Sequence, residues 1–397
     1  MQYSNTLKKA SEKSITYYAV PLLVFAVWLL YYFVNDSFGS VTGYYLIHYL
    51  YNYSHGFVAR GLIGEIISRF YPVVTDEVTR NAVIIGAFML AFGGVLCIGK
   101  ALNHARRDKE TFVWTLSLIV FLCIIPVTFR LYLTDTKLDK FIWALTLFAV
   151  YLADSKYGIY FVPVFCILAT LVNPVFLFCS MILISIILLQ KFFDSKYSVK
   201  NGIICAVSYI TMIATGLYST VSEKLLNFKD GGEFLNYYFS RYAGGVPENS
   251  DTFINEWLFD YFEPLDRIFK LAYEIYFKSW GNGKMVIMST LLFAVPVYVI
   301  FTLIWVKAIK RENNKFQKFI FILCMISPIV LIPPILISWE SSKYFENNMV
   351  VQLCLLVYYC CHQNESLLYS LNSAKQWCKN HLLISSLIVL YVGMFIK

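Results

Sequence analysis

The sequence predicts an all-α fold, a polytopic bundle of about eleven transmembrane helices with one long extracytoplasmic loop. Hydrophobic residues make up 58% of the 397 residues, and charged residues make up only 15%, against roughly 25% in ordinary soluble domains. A soluble chain of this length lacks the interior volume to bury so much apolar surface, so the excess must face lipid. The apolar residues also fall into runs close to the length of about 20 residues that a helix needs to cross a membrane.

About eleven uncharged apolar runs are the predicted spans, and one membrane domain, 1–397, contains them all. The runs lie near residues 16–34, 81–99, 111–129, 141–153, 157–172, 174–190, 202–221, 285–306, 319–338, 347–361 and 382–396. The stretch 157–190 is too long for one ordinary span. We predict two antiparallel spans there, because Asn173-Pro174 lies in its middle and proline breaks helices. Histidine and charged residues interrupt the apolar stretch 40–74, which predicts an interfacial or re-entrant helix.

Lysine and arginine in the loops indicate the orientation. With a cytoplasmic N-terminus, the cytoplasmic segments contain most of these residues and the short outer loops contain far fewer, which is the bias of membrane proteins. Lys8, Lys9 and Lys13 precede the first run, and no small-residue cleavage site follows it before Asn35, so we expect a signal anchor. The net charge of +8 is spread over separate short loops. It indicates contact with membrane lipid, not the clustered basic face of a nucleic-acid partner.

The cysteines and the span interiors argue against several kinds of site. The ten cysteines lie in predicted spans or on the inner side and form no Cys-x-x-Cys pair, so neither disulfides nor a metal site is predicted. Cys360, Cys361 and His362 are adjacent but lack the spacing of a zinc site. No Asp, Glu, Lys or Arg lies inside a predicted span, whereas pumps and ion-coupled transporters place charged residues there. The unusual polar residues are predicted to lie on the outer side alone.

Two outer segments combine arginine with acid–base groups. The segment 51–64 contains His55 and Arg60, whose planar guanidinium suits phosphate. Between the third and fourth spans, Asp135 and Asp139 follow Arg130, and their four-residue spacing puts both carboxylates on one face of a helix. A carboxylate there can act as a general base. The structural alternatives are an Arg60 side chain that reaches lipid headgroups and aspartates that cap a helix.

Two further outer segments have the composition of a sugar site. The loop 222–284 has seven basic and ten acidic residues, a net charge of −3, and many aromatic residues, including Trp257. We expect short helices near 252–262 and 264–279. Carboxylates accept hydrogen bonds from sugar hydroxyls and aromatic rings pack on sugar faces, although an interfacial aromatic belt would also place rings there. Glu340 and Lys343, in the loop before the tenth span, are candidate substrate contacts.

With these segments in view, the chain resembles the bacterial O-antigen polymerases and related membrane glycosyltransferases that use lipid-linked sugars. The resemblance rests on the many spans with one long outer loop, on the outer arginines Arg60, Arg130 and Arg241, and on the aspartate pair. The sequence His-Gly-Phe-Val-Ala-Arg-Gly-Leu at 55–62 is also similar to a Gly-Phe-Val-Arg-Arg-Gly-Leu pattern of bacterial polysaccharide-locus proteins, with Ala59 in place of an arginine.

The resemblance implies a multi-pass enzyme of the bacterial inner membrane. Its donor would be a glycan on undecaprenyl diphosphate, transferred on the outer face to an acceptor glycan without a metal or other cofactor. A chain-length regulator protein is the partner that the resemblance adds. In the implied site, Arg60, Arg130 and Arg241 bind the diphosphate. Asp135 or Asp139 acts as the base, and His55 also takes part in catalysis. The remaining substrate contacts are Trp257, Glu340 and Lys343.

Three other functions stay open. A flippase or exporter of lipid-linked oligosaccharides would need a polar path for a charged headgroup, and the uncharged spans argue against it. An acyltransferase that modifies surface polysaccharide would need a catalytic histidine or an intramembrane Arg–His arrangement, and only His48 and His55 are candidate histidines on the outer side. A non-enzymatic scaffold of an envelope complex is the third.

Overall fold

The protein is all-helical throughout the part of the chain that the structure describes. The computed structural model describes residues 2–39, 41, 43–124, 133, 136–155, 157–195, 198–222, 228–229, 231–246, 292, 295–332 and 341–387. No strand is present in these ranges, and one isolated bridge pairs Val74 with Tyr242. The short helices predicted at 252–262 and 264–279 lie outside the described residues.

The α-helices are numbered here in chain order, and short 3₁₀ segments connect some of them. The helices are α1 (Gln2–Val34), α2 (Ile47–Leu50), α3 (Leu62–Phe70), α4 (Asp76–Ala105), α5 (Lys109–Ile124), α6 (Asp139–Ala153), α7 (Val162–Val172), α8 (Met181–Asp194), α9 (Val199–Ser222), α10 (Gly231–Phe239), α11 (Val295–Arg311), α12 (Lys315–Ile326), α13 (Ser341–Cys361) and α14 (Glu365–Asn380). The 3₁₀ segments are Gly43–Leu46, Gly158–Phe161, Pro174–Leu177 and Ser327–Leu331.

Three helices in the described ranges are long and apolar enough to cross a membrane. They are Ile15–Val34 within α1, the whole of α4, and Val199–Tyr218 within α9. Large apolar side chains of α1 point away from the protein, with Leu23 66% and Leu30 63% exposed. Such a surface suits lipid better than water, as a membrane protein requires. The predicted count of about eleven spans stays a prediction.

Helices α4 and α6 pack side by side and run in the same direction. Near their starts, Lys140 Nζ lies 3.5 Å from the Val83 carbonyl oxygen, and near their ends Lys100 Nζ donates to the Tyr151 carbonyl oxygen at 2.9 Å. We call the two ends of this pair the Asp76 end, where α4 begins, and the Asp154 end, where α6 stops. From Asp76 to Lys100, which pairs with Asp154, α4 is roughly 36 Å long at about 1.5 Å per residue.

The predicted break at Asn173-Pro174 is confirmed. Helix α7 ends at Val172, and the Asn173 side chain accepts a hydrogen bond from the Val175 N–H at 3.1 Å. Helix α8 then ends beside Asp154, because Lys191 pairs with that carboxylate. The 3₁₀ segment that leads into α7 begins at Gly158, a few residues after Asp154. The start of α7 therefore lies near the end of α8, and the two helices are antiparallel as predicted.

The stretch 40–74 differs from the single interfacial or re-entrant helix that was predicted. Only short helical pieces form, and a non-helical segment joins α2 to α3. Tyr49 and Tyr51 are wholly buried. The backbone of this segment packs directly on α3, because a Cβ atom added at Gly64 would lie 2.2 Å from the Tyr51 carbonyl oxygen. The close approach of two backbones, which only glycine permits, draws the segment into the core.

Helix α13 contributes a row of buried polar side chains to the core. Trp143 Nε1 donates to Asn347 Oδ1 at 2.6 Å, and Trp305 Nε1 donates to Gln352 Oε1 at 2.7 Å. The Gln352 amide in turn donates to the Cys324 carbonyl oxygen at 2.8 Å. Because buried polar groups are costly without partners, these bonds fix the positions of α6, α11 and α12 around α13.

Candidate functional site

The segment between α2 and α3 positions Arg60 at the Asp76 end. Arg60 has a left-handed backbone with φ of 64°, which is uncommon for a residue with a side chain. Its Nη1 lies 3.2 Å from His48 Nε2. The next residue must be small, because a Cβ atom at Gly61 would lie 2.6 Å from the Tyr53 ring. The left-handed backbone of Arg60 and the close contact at Gly61 therefore set the direction in which the Arg60 side chain leaves the segment.

Arg241 reaches the same segment from the residues after α10. Its backbone is fixed by the Val74 N–H, which donates to the Arg241 carbonyl oxygen at 2.7 Å. Its Nη1 donates to the Leu50 carbonyl oxygen at 2.5 Å. Its Nη2 is buried and has no hydrogen-bond acceptor among the residues that the structure describes. Burial lowers the pKa of Arg241, but a guanidinium remains a cation at neutral pH.

Glu65 ties the segment to α3. Its carboxylate accepts hydrogen bonds from the Tyr53 N–H at 2.9 Å and from Arg69 Nε at 2.7 Å. Burial acts to raise the pKa of Glu65, but these hydrogen bonds and the charges of Arg69 and Arg241 outweigh it, and the net pKa is lowered. The carboxylate is therefore an ionised anchor and a poor proton acceptor.

Aromatic rings surround His55. The imidazole stacks on Phe228 with 4.7 Å between ring centroids, and it meets the edge of Tyr237 at 4.4 Å. Tyr238 adds a second layer, because its hydroxyl donates to the Asn52 carbonyl oxygen at 3.0 Å. His55 thus belongs to a wall of rings that joins the 51–64 segment to α10.

The structure brings some of the predicted site residues together. Arg60, Arg241 and His55 all lie around the segment between α2 and α3. Asp139 begins α6 and is 3% exposed, and the same end of α6 touches α2, because Tyr49 donates to the Thr136 carbonyl oxygen at 2.7 Å.

The other predicted residues are described only in part or lie outside the described ranges. Lys343 falls in the first turn of α13. Lys137, which lies between the two aspartates in the sequence, has its ammonium group 5.0 Å from the centre of the Tyr45 ring. The predicted residues outside the described ranges are Arg130, Asp135, Trp257 and Glu340.

Two residues at this end were not among those predicted for the glycan site. His48 is buried and contacts Arg60, although its apolar neighbours in the sequence give no sign of that contact. The Tyr53 hydroxyl, like Arg241 Nη2, is buried and has no hydrogen-bond partner among the described residues. Tyr53 and Arg241 therefore offer two buried donors at one end of the bundle, which is the arrangement expected around a ligand with acceptor oxygens.

The prediction that the unusual polar residues lie on the outer side alone is wrong. At the Asp154 end, Lys100 Nζ lies 3.3 Å from Asp154 Oδ2, and Lys191 pairs with the other carboxylate oxygen. His104 and His362 face the same carboxylate at 3.8 and 3.7 Å. Burial acts to raise the pKa of Asp154, but the nearby His362 imidazole and the charges of Lys191 and Lys100 lower it well below its usual range.

Comparison of the chain with protein-family models, with curated proteins and with solved structures found no match. The function must therefore be inferred from the side chains at the Asp76 end and the Asp154 end. The Asp76 end presents cationic donors beside aromatic rings, which suits an anionic, oxygen-rich ligand with apolar faces. The Asp154 end gathers imidazole, thiol and carboxylate groups.

Proposed function

We propose that the protein is a membrane enzyme that transfers or polymerises glycan repeat units carried on undecaprenyl diphosphate. The reaction would take place at the Asp76 end, in O-antigen or capsule biosynthesis. The observation that carries the proposal is the buried Arg241 Nη2, which has no acceptor among the described residues. A buried donor without a partner costs about 1–3 kcal/mol, and a diphosphate oxygen would remove that cost.

The charge balance around the segment between α2 and α3 favours an anionic ligand. Arg60, Arg69 and Arg241 lie in one neighbourhood with Glu65 as the partner of Arg69. The three guanidinium groups exceed the one carboxylate by two positive charges. A guanidinium fork matches phosphate oxygens in a planar, two-point contact, and Arg241 uses only one of its terminal nitrogens on the Leu50 carbonyl oxygen.

The aromatic wall supports a glycan as the remainder of the ligand. His55, Phe228 and Tyr237 form a continuous set of rings next to the arginines. Rings of this kind offer broad apolar faces with polar edges, and sugars present matching apolar faces and hydroxyl rims. The donor lipid then needs its diphosphate near Arg241 and its sugars along the wall.

In the proposed reaction, a hydroxyl of the acceptor glycan attacks the anomeric carbon of the donor. The bond from that carbon to the diphosphate oxygen breaks, and undecaprenyl diphosphate leaves with the bonding electron pair. Arg60 and Arg241 stabilise the charge that develops on the leaving group. The hydroxyl proton goes to a carboxylate, for which Asp139 is the described candidate.

The proposal includes a location and a partner. The protein would lie in the bacterial inner membrane with about eleven spans, a cytoplasmic N-terminus and the Asp76 end outside. The long helix α4 supports such a placement, because 30 residues extend over about 45 Å and a hydrocarbon layer is about 30 Å thick. A chain-length regulator protein would act with it.

The test compares surface polysaccharide from cells in which variants replace the native protein. Arg60→Ala and Arg241→Ala should shorten the polymer or abolish it. The matched control is Arg80→Ala, which removes an arginine at the same end that pairs with Asp36; it should leave the chain length unchanged. Polymer of normal length from both site variants would contradict the proposal.

One observation favours a second candidate, an acyltransferase that modifies surface polysaccharide. The contact of 3.2 Å between Arg60 Nη1 and His48 Nε2 is the Arg–His arrangement that such an enzyme would need. His48→Gln separates the two candidates. Loss of acyl groups with normal chain length would favour the acyltransferase, whereas shortened polymer with normal acylation would favour glycan transfer.

A further inference from the structure

Three potential metal ligands meet at the Asp154 end, where α4 and α13 end. His104, Cys361 and His362 each offer one donor atom, and these atoms all lie within 4.8 Å of one another. The two imidazole rings meet edge to face, with 5.1 Å between their centroids. We propose that these residues bind a divalent transition-metal ion of the zinc type, a site that goes beyond the proposed glycan chemistry.

The distances suit one ion. Zinc binds nitrogen and sulfur at about 2.0–2.3 Å, so two ligands of a tetrahedral ion lie about 3.5 Å apart. Cys361 Sγ and His362 Nδ1 are already 3.3 Å apart. His362 Nδ1 also lies 2.8 Å from the Tyr358 carbonyl oxygen, a contact that the ion would replace. His104 approaches from α4, so the ion would join the ends of two long helices.

Asp154 takes the place of the carboxylate that commonly orients metal-binding imidazoles. Its Oδ2 lies 3.8 Å from His104 Nδ1 and 3.7 Å from His362 Nε2. In metal sites the imidazole nitrogen that faces away from the ion usually donates to such a group. For His362 this leaves Nδ1, the nitrogen beside Cys361, for the ion.

The local charge tolerates a cation despite Lys100 and Lys191. The two lysines exceed the charge of Asp154 by one, and a divalent ion on a Cys361 thiolate adds one more. Helices α4, α6, α8 and α13 all end here, and each helix C-terminus contributes about −0.5 charge. Four such ends supply roughly −2, which matches the excess.

The donor set and its surroundings indicate the class of metal. Nitrogen and sulfur ligands select zinc, cobalt, nickel or copper over magnesium and calcium. A cavity of about 90 Å³ adjoins the site and is lined by the same His104, Cys361 and His362. It has room for a water as the fourth ligand, which needs roughly 10–15 Å³.

The neighbouring cysteine provides a matched control. Cys360 lies on the other side of α13, where its sulfur is 3.4 Å from the Thr115 hydroxyl. His381, at the end of α14, serves in the same way for His104. Cys360 and Cys361 are the same residue type on different sides of α13. His381 and His104 are the same residue type at the ends of different helices.

The experiment measures cobalt and zinc binding to the purified full chain in lipid nanodiscs after chelation. Cobalt should produce a thiolate-to-metal charge-transfer absorption in the unsubstituted protein and in Cys360→Ser and His381→Ala. Cys361→Ser should lose that absorption, and His104→Ala should weaken zinc binding about 100-fold or more. Absence of the absorption from the unsubstituted protein, or its retention in Cys361→Ser, would overturn the proposal.

A second measurement needs no substitution. Zinc should raise the unfolding temperature of the unsubstituted protein in nanodiscs, because an ion that binds only the folded state stabilises it, while magnesium should leave that temperature unchanged. Equal unfolding temperatures with and without zinc would count against the site even if a variant failed to fold.

Discussion

At the Asp76 end, arginines meet backbone carbonyls, a histidine and aromatic rings, whereas at the Asp154 end four basic side chains converge on one carboxylate. Arg241 gives one hydrogen bond to Leu50 and keeps a buried donor without an acceptor in the described part of the chain. Asp154, by contrast, contacts Lys100, Lys191 and two histidines. The first end has donors in excess of acceptors, whereas the second joins its basic side chains to one shared carboxylate.

The backbone explains the difference. At the Asp76 end, the Leu50 carbonyl group lies at the end of α2, where carbonyl groups no longer take part in helix hydrogen bonds, and it accepts a hydrogen bond from Arg241. The Asp154 end is built from helix C-termini, which attract cations. An anionic ligand therefore suits the first end, and cations suit the second.

The largest expected effect on stability is at the Asp154 end. Asp154→Ala should lower the free energy of unfolding by about 3 kcal/mol, because it leaves the partly buried ammonium groups of Lys100 and Lys191 without their shared carboxylate. Thermal unfolding in detergent measures the change. Arg241→Ala should lower stability much less, and equal losses from the two substitutions would erase the contrast between the ends.

A slightly smaller loss is expected from Gly64→Ala. The added Cβ atom would lie 2.2 Å from the Tyr51 carbonyl oxygen, so α3 or the 51–64 segment must shift, at a cost of about 2 kcal/mol. Because that segment holds Arg60, glycan transfer should fall as well. Gly39→Ala, where an added Cβ meets nothing within 4 Å, is the control, and identical behaviour of the two variants would show that the close backbone contact is not needed.

Arg60→Gly should separate function from stability. Glycine accepts the left-handed backbone of this position, and that gain offsets the lost contact with His48, so the free energy of unfolding should change by less than about 1 kcal/mol. Polysaccharide chain length should nevertheless collapse. Retention of full-length polymer would remove Arg60 from the site.

The smallest effect concerns acid. The pKa of Glu65 is lowered in the folded protein, so its contribution to stability is fully present above the ordinary glutamate pKa of about 4.3 and is lost as the pH falls through the lower folded value. Unfolding measured between neutral and acidic pH should show this loss. Glu65→Gln should reduce the acid sensitivity, and an unchanged pH profile would argue against the ionised anchor.

The apolar runs and the position of a proline in the sequence predicted the all-helical class and the bounds of some helices. The apolar run 81–99 falls within α4, and Asn173-Pro174 marks the break before α8. The stretch 40–74 was predicted less well, because its path depends on a backbone contact between Gly64 and Tyr51 that no periodic pattern encodes.

The two clusters differ in how far the sequence could predict them. Arg60 and His55 share one short segment, so their proximity followed from the chain. The Asp154 cluster draws on α4, α6, α8 and α13, and only the packing of these helices brings Lys100, Lys191 and His362 together. Each residue alone resembled an ordinary basic loop residue of the predicted inner side.

The most direct test of the central claim is the binding of undecaprenyl diphosphate to the protein in nanodiscs, measured by native mass spectrometry. The unsubstituted protein and Arg80→Ala should bind it equally, and Arg241→Ala should bind it roughly 10-fold or more weakly, since a charge-assisted hydrogen bond contributes about 1.5–3 kcal/mol. Undecaprenol, which lacks the diphosphate, should bind all three alike. Equal affinity of the unsubstituted protein and Arg241→Ala for undecaprenyl diphosphate would contradict the assignment of the Asp76 end.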